Sequence, residues 1–366
     1  MSDARKKSIF GSHSRRSILK GLGAAAVGIT LTSKKFSALA AEEEKKLNFY
    51  NWDTYIGETT LEDFADASGI DVNMSLFATN DELFAKLRAG NPGYDVIVPG
   101  SEFVERMIKA DLLEPLDHAN IPNIKNIAPE FMDDAPFDPG RKYSLPYTWL
   151  VIGIGYRKSK VKEVPDSWKY LFNSDEYKGR IAVMSDASEL FRNCFKYLGK
   201  SINDDSPELI KEAEALLIKQ KPNIKAFHED NGQDLLLSGE VDLVMEYNGD
   251  IAQIMTEDDD IDFVVPKEGA MRQQDTLAIP KGAPHPENAL KFINYIFEPE
   301  VGADITKTIL YPSPNAAAVA LMPDSYKNNK VIFPPADVMA KCEYPRYLGP
   351  EFTRLLDEAM TRLRAA

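Results

Sequence analysis

Apolar and polar positions recur along this chain with two different periods, and the switches between them mark out its elements. Leu47 to Tyr50 predicts a short strand. Thr59-Thr60-Leu61-Glu62 reads as a capping box opening a helix whose Leu61, Phe64, Ala65 and Ser68 share one face, and Gly69 stops it. Ile70 to Phe77 then alternates, with Val72, Met74 and Leu76 on one side of a second strand. Asn80 is the expected cap of a second helix ending near Gly90, and Tyr94 to Val98 is a third strand closed by Pro99-Gly100. The order β-α-β-α-β implies a parallel sheet with right-handed crossovers.

The run Tyr147 to Tyr156 is aromatic and β-branched, and it is the expected strand that leaves a first lobe for a second. Its Gly153-Ile154-Gly155 lacks the third glycine of a dinucleotide fingerprint, Lys158 standing there instead, so a nucleotide site is discarded. Ile181 to Met184 and Val241 to Tyr247 predict the strands of a second α/β stretch, and Asp275 to Pro280 reads as the return crossing. The helix Glu287 to Phe297 that follows turns Ala289, Leu290, Phe292, Ile293 and Ile296 inward. The acid run Glu257 to Asp260 reads as a solvated loop.

Residues 1–40 carry a different signal. Ser14-Arg15-Arg16-Ser17-Ile18-Leu19-Lys20 matches the twin-arginine export pattern and leads into Gly21 to Leu31, an apolar run too short to span a bilayer. Ala38-Leu39-Ala40 then supplies a small-x-small cleavage site, so residues 1–40 are expected to be a removable signal peptide and the protein to be soluble in the periplasm. The whole chain has 366 residues and a net charge of −14, and loss of the basic leader takes this to about −21. Such a surface repels nucleic acid and anionic lipid and concentrates cations. A chain this long exceeds one compact core, and two lobes are expected.

Two cysteines, Cys194 and Cys342, make no disulfide framework, although an oxidising compartment would permit them to pair. Cys194 lies in a segment whose apolar positions 190, 191, 194, 195 and 198 have helical spacing, and it reads as core. His118, His228 and His285 have no second His or Cys at ligand spacing, so neither metal nor cofactor is expected. Trp52 and Tyr55 stand where the first strand runs out, the end at which an α/β chain presents its ligand crevice. Their π faces attract cations, although rings of this kind also serve as core.

Seven segments, taken together and in order, resemble the spermidine/putrescine-binding periplasmic proteins that feed polyamine ABC transporters. They are Phe49-Tyr50-Asn51-Trp52-Asp53-Thr54-Tyr55, Tyr94 to Pro99, Gly153 to Tyr156, Tyr177-Lys178-Gly179, Pro266 to Gly269, Asp275 to Pro280 and Tyr311-Pro312-Ser313-Pro314-Asn315. The resemblance implies a two-lobed α/β periplasmic binding protein fold of type II, with two chain crossovers forming a hinge. Lobe 1 would comprise 41–150 and 276–320, and lobe 2 would comprise 151–275 and 321–366. It further implies a monomer without catalytic activity that closes on a polyamine and docks on a membrane permease.

Carried over by position, the aromatic walls are Trp52, Tyr55, Tyr247 and Tyr311, and the ammonium-pairing carboxylates are Asp186, Glu189 and Asp275. Asp53, Thr54, Ser101, Glu102 and Gln273 complete the implied ligand set, with Glu102 either a further carboxylate or a solvent-facing one. Asp186 also suits the N-cap of the helix after Met184, which would turn Glu189 to the same side. Arg272 and Gln273 depart from the family, which commonly has an aromatic pair there, and no match to its amide ligand is found around Glu343 to Arg346. Two alternatives stay open. One is an amine ligand that also carries an anionic group, which Arg272 would meet; the other is a thiaminase-like enzyme with Cys194 as nucleophile and Glu189 as base.

Overall fold

The computed structural model describes residues 43–366 except Asp134 and Asp230, so the expected signal peptide lies outside the described residues. The strands are β1 (Lys46–Asn51), β2 (Asp71–Leu76), β3 (Val96–Ile97), β4 (Ser144–Arg157), β5 (Ile181–Met184), β6 (Ile224–His228), β7 (Leu243–Tyr247), β8 (Ile261–Val264) and β9 (Arg272–Ala278). The first three helices are α1 (Thr60–Ser68), α2 (Asn80–Arg88) and α3 (Ser101–Lys109). β1 takes β2 and β3 as parallel neighbours through α1 and α2, as the alternating order of elements requires.

β4 joins the two lobes. Its first half runs antiparallel to β9, from Ser144 opposite Ala278 to Val151 opposite Arg272. From Ile152 onward it pairs instead with β7, and from Ile154 also with β8, giving the sheet order β2-β1-β3-β9-β4-β7-β5-β6 with β8 attached to β4. Two extended segments, β4 and β9, thus connect the halves. After Tyr311, which packs in the first lobe, the chain passes across once more to bury Tyr326, Val331 and Ile332 in the second.

The pleat explains how lobe 1 builds a core on each face of its sheet. Adjacent residues of β1 point to opposite sides, Phe49 onto Phe292 and Tyr50 beside Ile97 and Val104. In lobe 2, Trp168, Phe172, Phe191 and Phe195 are wholly buried against β5 and β7, each contributing roughly 1.5–3 kcal/mol by leaving water.

Local chemistry departs from the sequence reading in a few places. Thr59 caps α1 without the expected bond to its backbone, its hydroxyl meeting Asp63 Oδ2 at 2.7 Å, while Gly69 closes the helix in the left-handed conformation as expected. Thr79 rather than Asn80 caps α2, which frees the Asn80 amide to accept from Gly100 N at 3.0 Å. The acid run is only partly solvated, because Arg157 bridges Asp258 and Asp260. A Cβ at Gly153 would come within 2.4 Å of Phe263, and one at Gly155 within 2.5 Å of Ile251, so these glycines serve close packing around β4.

Candidate functional site

A cleft of about 760 Å³ is lined from both lobes, and its aromatic wall begins where β1 ends. Trp52 serves both roles considered for it: its indole packs on Phe77 at 4.3 Å and donates to Val98 O at 3.0 Å, while it also lines the cleft. Asp53 and Thr54 stand exposed at the mouth, Asp53 Oδ1 accepting from Thr54 N at 2.9 Å. Tyr55 is buried, with its ring edge-on to Tyr147 and Tyr311. Its hydroxyl lies 2.6 Å from Thr148 Oγ1 and donates to Asp275 Oδ2 at 2.9 Å. Tyr311 lies flat over Gly249, where a Cβ would come within 2.4 Å of the ring, and its hydroxyl donates to Asp250 Oδ1 at 2.6 Å. Burial pushes the phenols of Tyr55, Tyr247 and Tyr311 well up, so all three remain neutral donors.

Asp186 opens the helix Ala187–Tyr197 as anticipated, Oδ1 accepting from Glu189 N at 2.9 Å. Water reaches Asp186, yet the protein packed around the cleft raises its pKa, opposed by the backbone bond from Glu189 and reinforced by the charge of Asp81. One turn into the helix, Glu189 Oε1 accepts the Tyr247 hydroxyl and faces Gln273 Nε2 at 3.5 Å.

The period of β9 sorts its polar run. Met271, Gln273 and Asp275 line the cleft, whereas Arg272 and Gln274 belong to the other face of the strand. The Arg272 guanidinium lies 4.2 Å over the Tyr344 ring, and Gln274 accepts from Arg141 and donates to Tyr344 Oη at 2.6 Å. This placement removes the reason for expecting an anionic group on the ligand. Asp275 is 8% exposed, and burial lifts its pKa to about 6 against the opposing bond from Tyr55.

Two expected residues are used differently. Ser101 starts α3 wholly buried and outside the cleft lining. Glu102 lines the cleft, but Oε1 accepts from Arg192 Nη2 at 3.1 Å and Oε2 from Ser188 Oγ at 3.3 Å. Arg192 is itself wholly buried, and its remaining donors go to Ser188, Asn203 and the carbonyls of Ile202 and Arg346. Burial raises the Glu102 pKa and Arg192 pulls it back.

The cleft also contains groups that sequence reasoning missed, among them Asp81, Glu229, Asp250 and Asp357. Asp250 had a readable signal, standing three residues after Tyr247 as Glu189 does after Asp186. Around Glu343 to Arg346 the side chains are already engaged, Glu343 with Lys196 within lobe 2 and Arg346 with Glu105 of lobe 1. Cys194 is fully buried in the lobe 2 core, away from the cleft, with its thiol pushed up by desolvation. That placement deprives the thiaminase-like alternative of its nucleophile. Among the described residues no cluster of His, Cys, Asp and Glu is arranged to hold a metal ion.

Residues 59–334 match the family model of the bacterial extracellular solute-binding protein. The putrescine-binding periplasmic protein SpuD of Pseudomonas aeruginosa is 33% identical over 94% of this chain and 98% of its own length. The spermidine/putrescine-binding periplasmic protein of Escherichia coli is 35% identical over 95% and 97%. Among solved structures, the spermidine/putrescine ABC transporter substrate-binding protein PotD of Streptococcus pneumoniae superposes with a TM-score of 0.80 at 31% identity, covering 88% of this chain and 99% of that one.

Proposed function

This chain belongs to the bacterial extracellular solute-binding protein family, and within it we propose the role of periplasmic binding component of an ABC importer for polyamines of the spermidine/putrescine class. The single observation that supports this most is the meeting of Asp186 and Glu189 from lobe 2 with Asp275 on the connecting β9, between Tyr55, Tyr247 and Tyr311, in one cleft. An ammonium removed from water without partners costs several kcal/mol, so a site that encloses a polyamine must offer carboxylates to the nitrogens and flat apolar faces to the methylenes. The cleft offers both.

In this reading the ligand enters while the cleft is open, the lobes (41–150 with 276–320, and 151–275 with 321–366) close about β4 and β9, and the closed monomer docks on a membrane permease. Residues 1–40 act as a twin-arginine signal peptide. The protein carries ligand without chemically changing it, in keeping with its transporter relatives.

The test is a thermal-shift panel of putrescine, cadaverine, spermidine, spermine and amines bearing a carboxylate. Polycations without an anionic group should raise the melting point, because only a species that binds the native state does so. A response confined to the carboxylated amines would refute the assignment.

A further inference from the structure

Resting on that reading, the geometry points to Gln273 as the group that selects amines with an internal N–H: we propose that its side-chain oxygen, beside Asp275, receives the secondary ammonium of a triamine, and that a plain diamine of equal length binds far less well. Asp275 and Gln273 are two residues apart on β9 and both face the cleft, while the intervening Gln274 faces away.

The orientation of the Gln273 amide is set by its neighbours. Tyr247 spends its hydrogen on Glu189, so its oxygen is left to accept from Gln273 Nε2 at 3.3 Å, and the same Nε2 lies 3.5 Å from Glu189 Oε1. Flipping the amide would set Gln273 Oε1 against the Glu189 carboxylate, an arrangement of acceptors only. The nitrogen end is therefore directed at Glu189 and the oxygen end toward Asp275. A methyl group built on Gly100 would stand 3.1 Å from Asn80 Nδ2, 3.4 Å from Gln273 Oε1 and 3.6 Å from Asp275 Oδ1, so the two oxygens lie near each other, with the Asn80 amide beside them at the edge of the cleft. The other Asp275 oxygen is already held by Tyr55.

One neutral and one charged acceptor side by side suit a group that donates two hydrogens and carries one positive charge, which describes a secondary ammonium. A methylene seated there could bond to neither oxygen, and loss of such bonds is what lets a polar site reject an apolar isostere. Glu189 lies on the nitrogen side of the same amide, where Oε1 accepts the Tyr247 hydroxyl.

The experiment compares spermidine with 1,8-diaminooctane, which has the same number of backbone atoms but a methylene in place of the internal nitrogen, by calorimetry on the wild-type protein, Gln273→Leu and Gln273→Met. The wild type should prefer spermidine by at least about thirtyfold. Either variant should weaken spermidine about tenfold, or about 1.4 kcal/mol, and leave the diamine within about twofold. Thermal melts confirm that the variant used is folded, and the second variant replaces one that is not. Equal weakening of both ligands, or an unchanged preference, would overturn the role of Gln273. If the wild type binds neither amine, the failure lies with the polyamine assignment and the inference falls with it.

Discussion

Two carboxylates that line the same cleft meet very different company. Glu102, from α3, is answered by the guanidinium of Arg192, whose other donors go to lobe 2 and to the segment around Arg346, and one turn further on Glu105 holds Arg346 and Lys109. Asp275, from β9, receives a neutral Tyr55 hydroxyl. Burial raises the pKa of both, but only Glu102 has a built-in cation to oppose it, and only Asp275 is lifted to about 6. The contrast separates a seam that fastens the lobes from a site whose charge awaits a ligand. A carboxylate list read from sequence could not draw that line, because the difference lies in what each group faces.

The largest effect should come from breaking the seam. Arg192→Leu leaves Glu102 desolvated and unanswered, and loss of one member of a buried ion pair costs about 3–5 kcal/mol. Chemical denaturation should show that loss, and a change under 1 kcal/mol would mean that Glu102 is readily rehydrated. The opposite outcome is expected on the other side of the comparison. Asp275→Asn should weaken spermidine at least tenfold, or about 1.4 kcal/mol, yet stabilise the ligand-free protein at pH 7.5.

The sign follows from the direction of the shift. The folded state binds the Asp275 proton more tightly than the unfolded chain, so the stability tied to that proton is fully present below the unfolded pKa, near 3.8, and is lost as pH rises through about 6. Two pKa units correspond to a penalty on the order of 3 kcal/mol above that range. The stability gap between Asp275→Asn and wild type should therefore shrink as pH falls from 7 to 4, while wild-type affinity for polyamine declines over the same interval. A gap that is flat with pH would show that Asp275 is not desolvated in the free protein. The smallest effect belongs to Arg272→Phe, which should leave polyamine affinity within twofold, since the guanidinium stacks on Tyr344 outside the cleft. A clear rise in affinity would place that cation within reach of the ligand.

Much of this was legible in the chain. Alternation and helix punctuation gave the β-α-β-α-β start, the strand Ile181–Met184 and the cap at Asp186, because each is governed by residues adjacent in sequence. The return crossing begins three residues earlier than expected, at Arg272 rather than Asp275. A strand of Arg, Gln, Gln and Asp carries no apolar alternation, and its pairing with β4 is what makes it a strand. The same alternation, once the strand is in place, sends Arg272 away from the ligand. The partnership of Glu102 with Arg192 joins residues 90 apart in sequence and depends on how the lobes are set together, so no local pattern announces it.

The most direct test of the central claim, that acidic and aromatic groups of both lobes form one polycation site, is a calorimetric titration of the wild-type protein with spermidine at pH 7.5. The account predicts saturable binding of one spermidine per chain that weakens as salt is added. Absence of saturable heat up to millimolar ligand, or a stoichiometry of several loosely held molecules per chain, would contradict it.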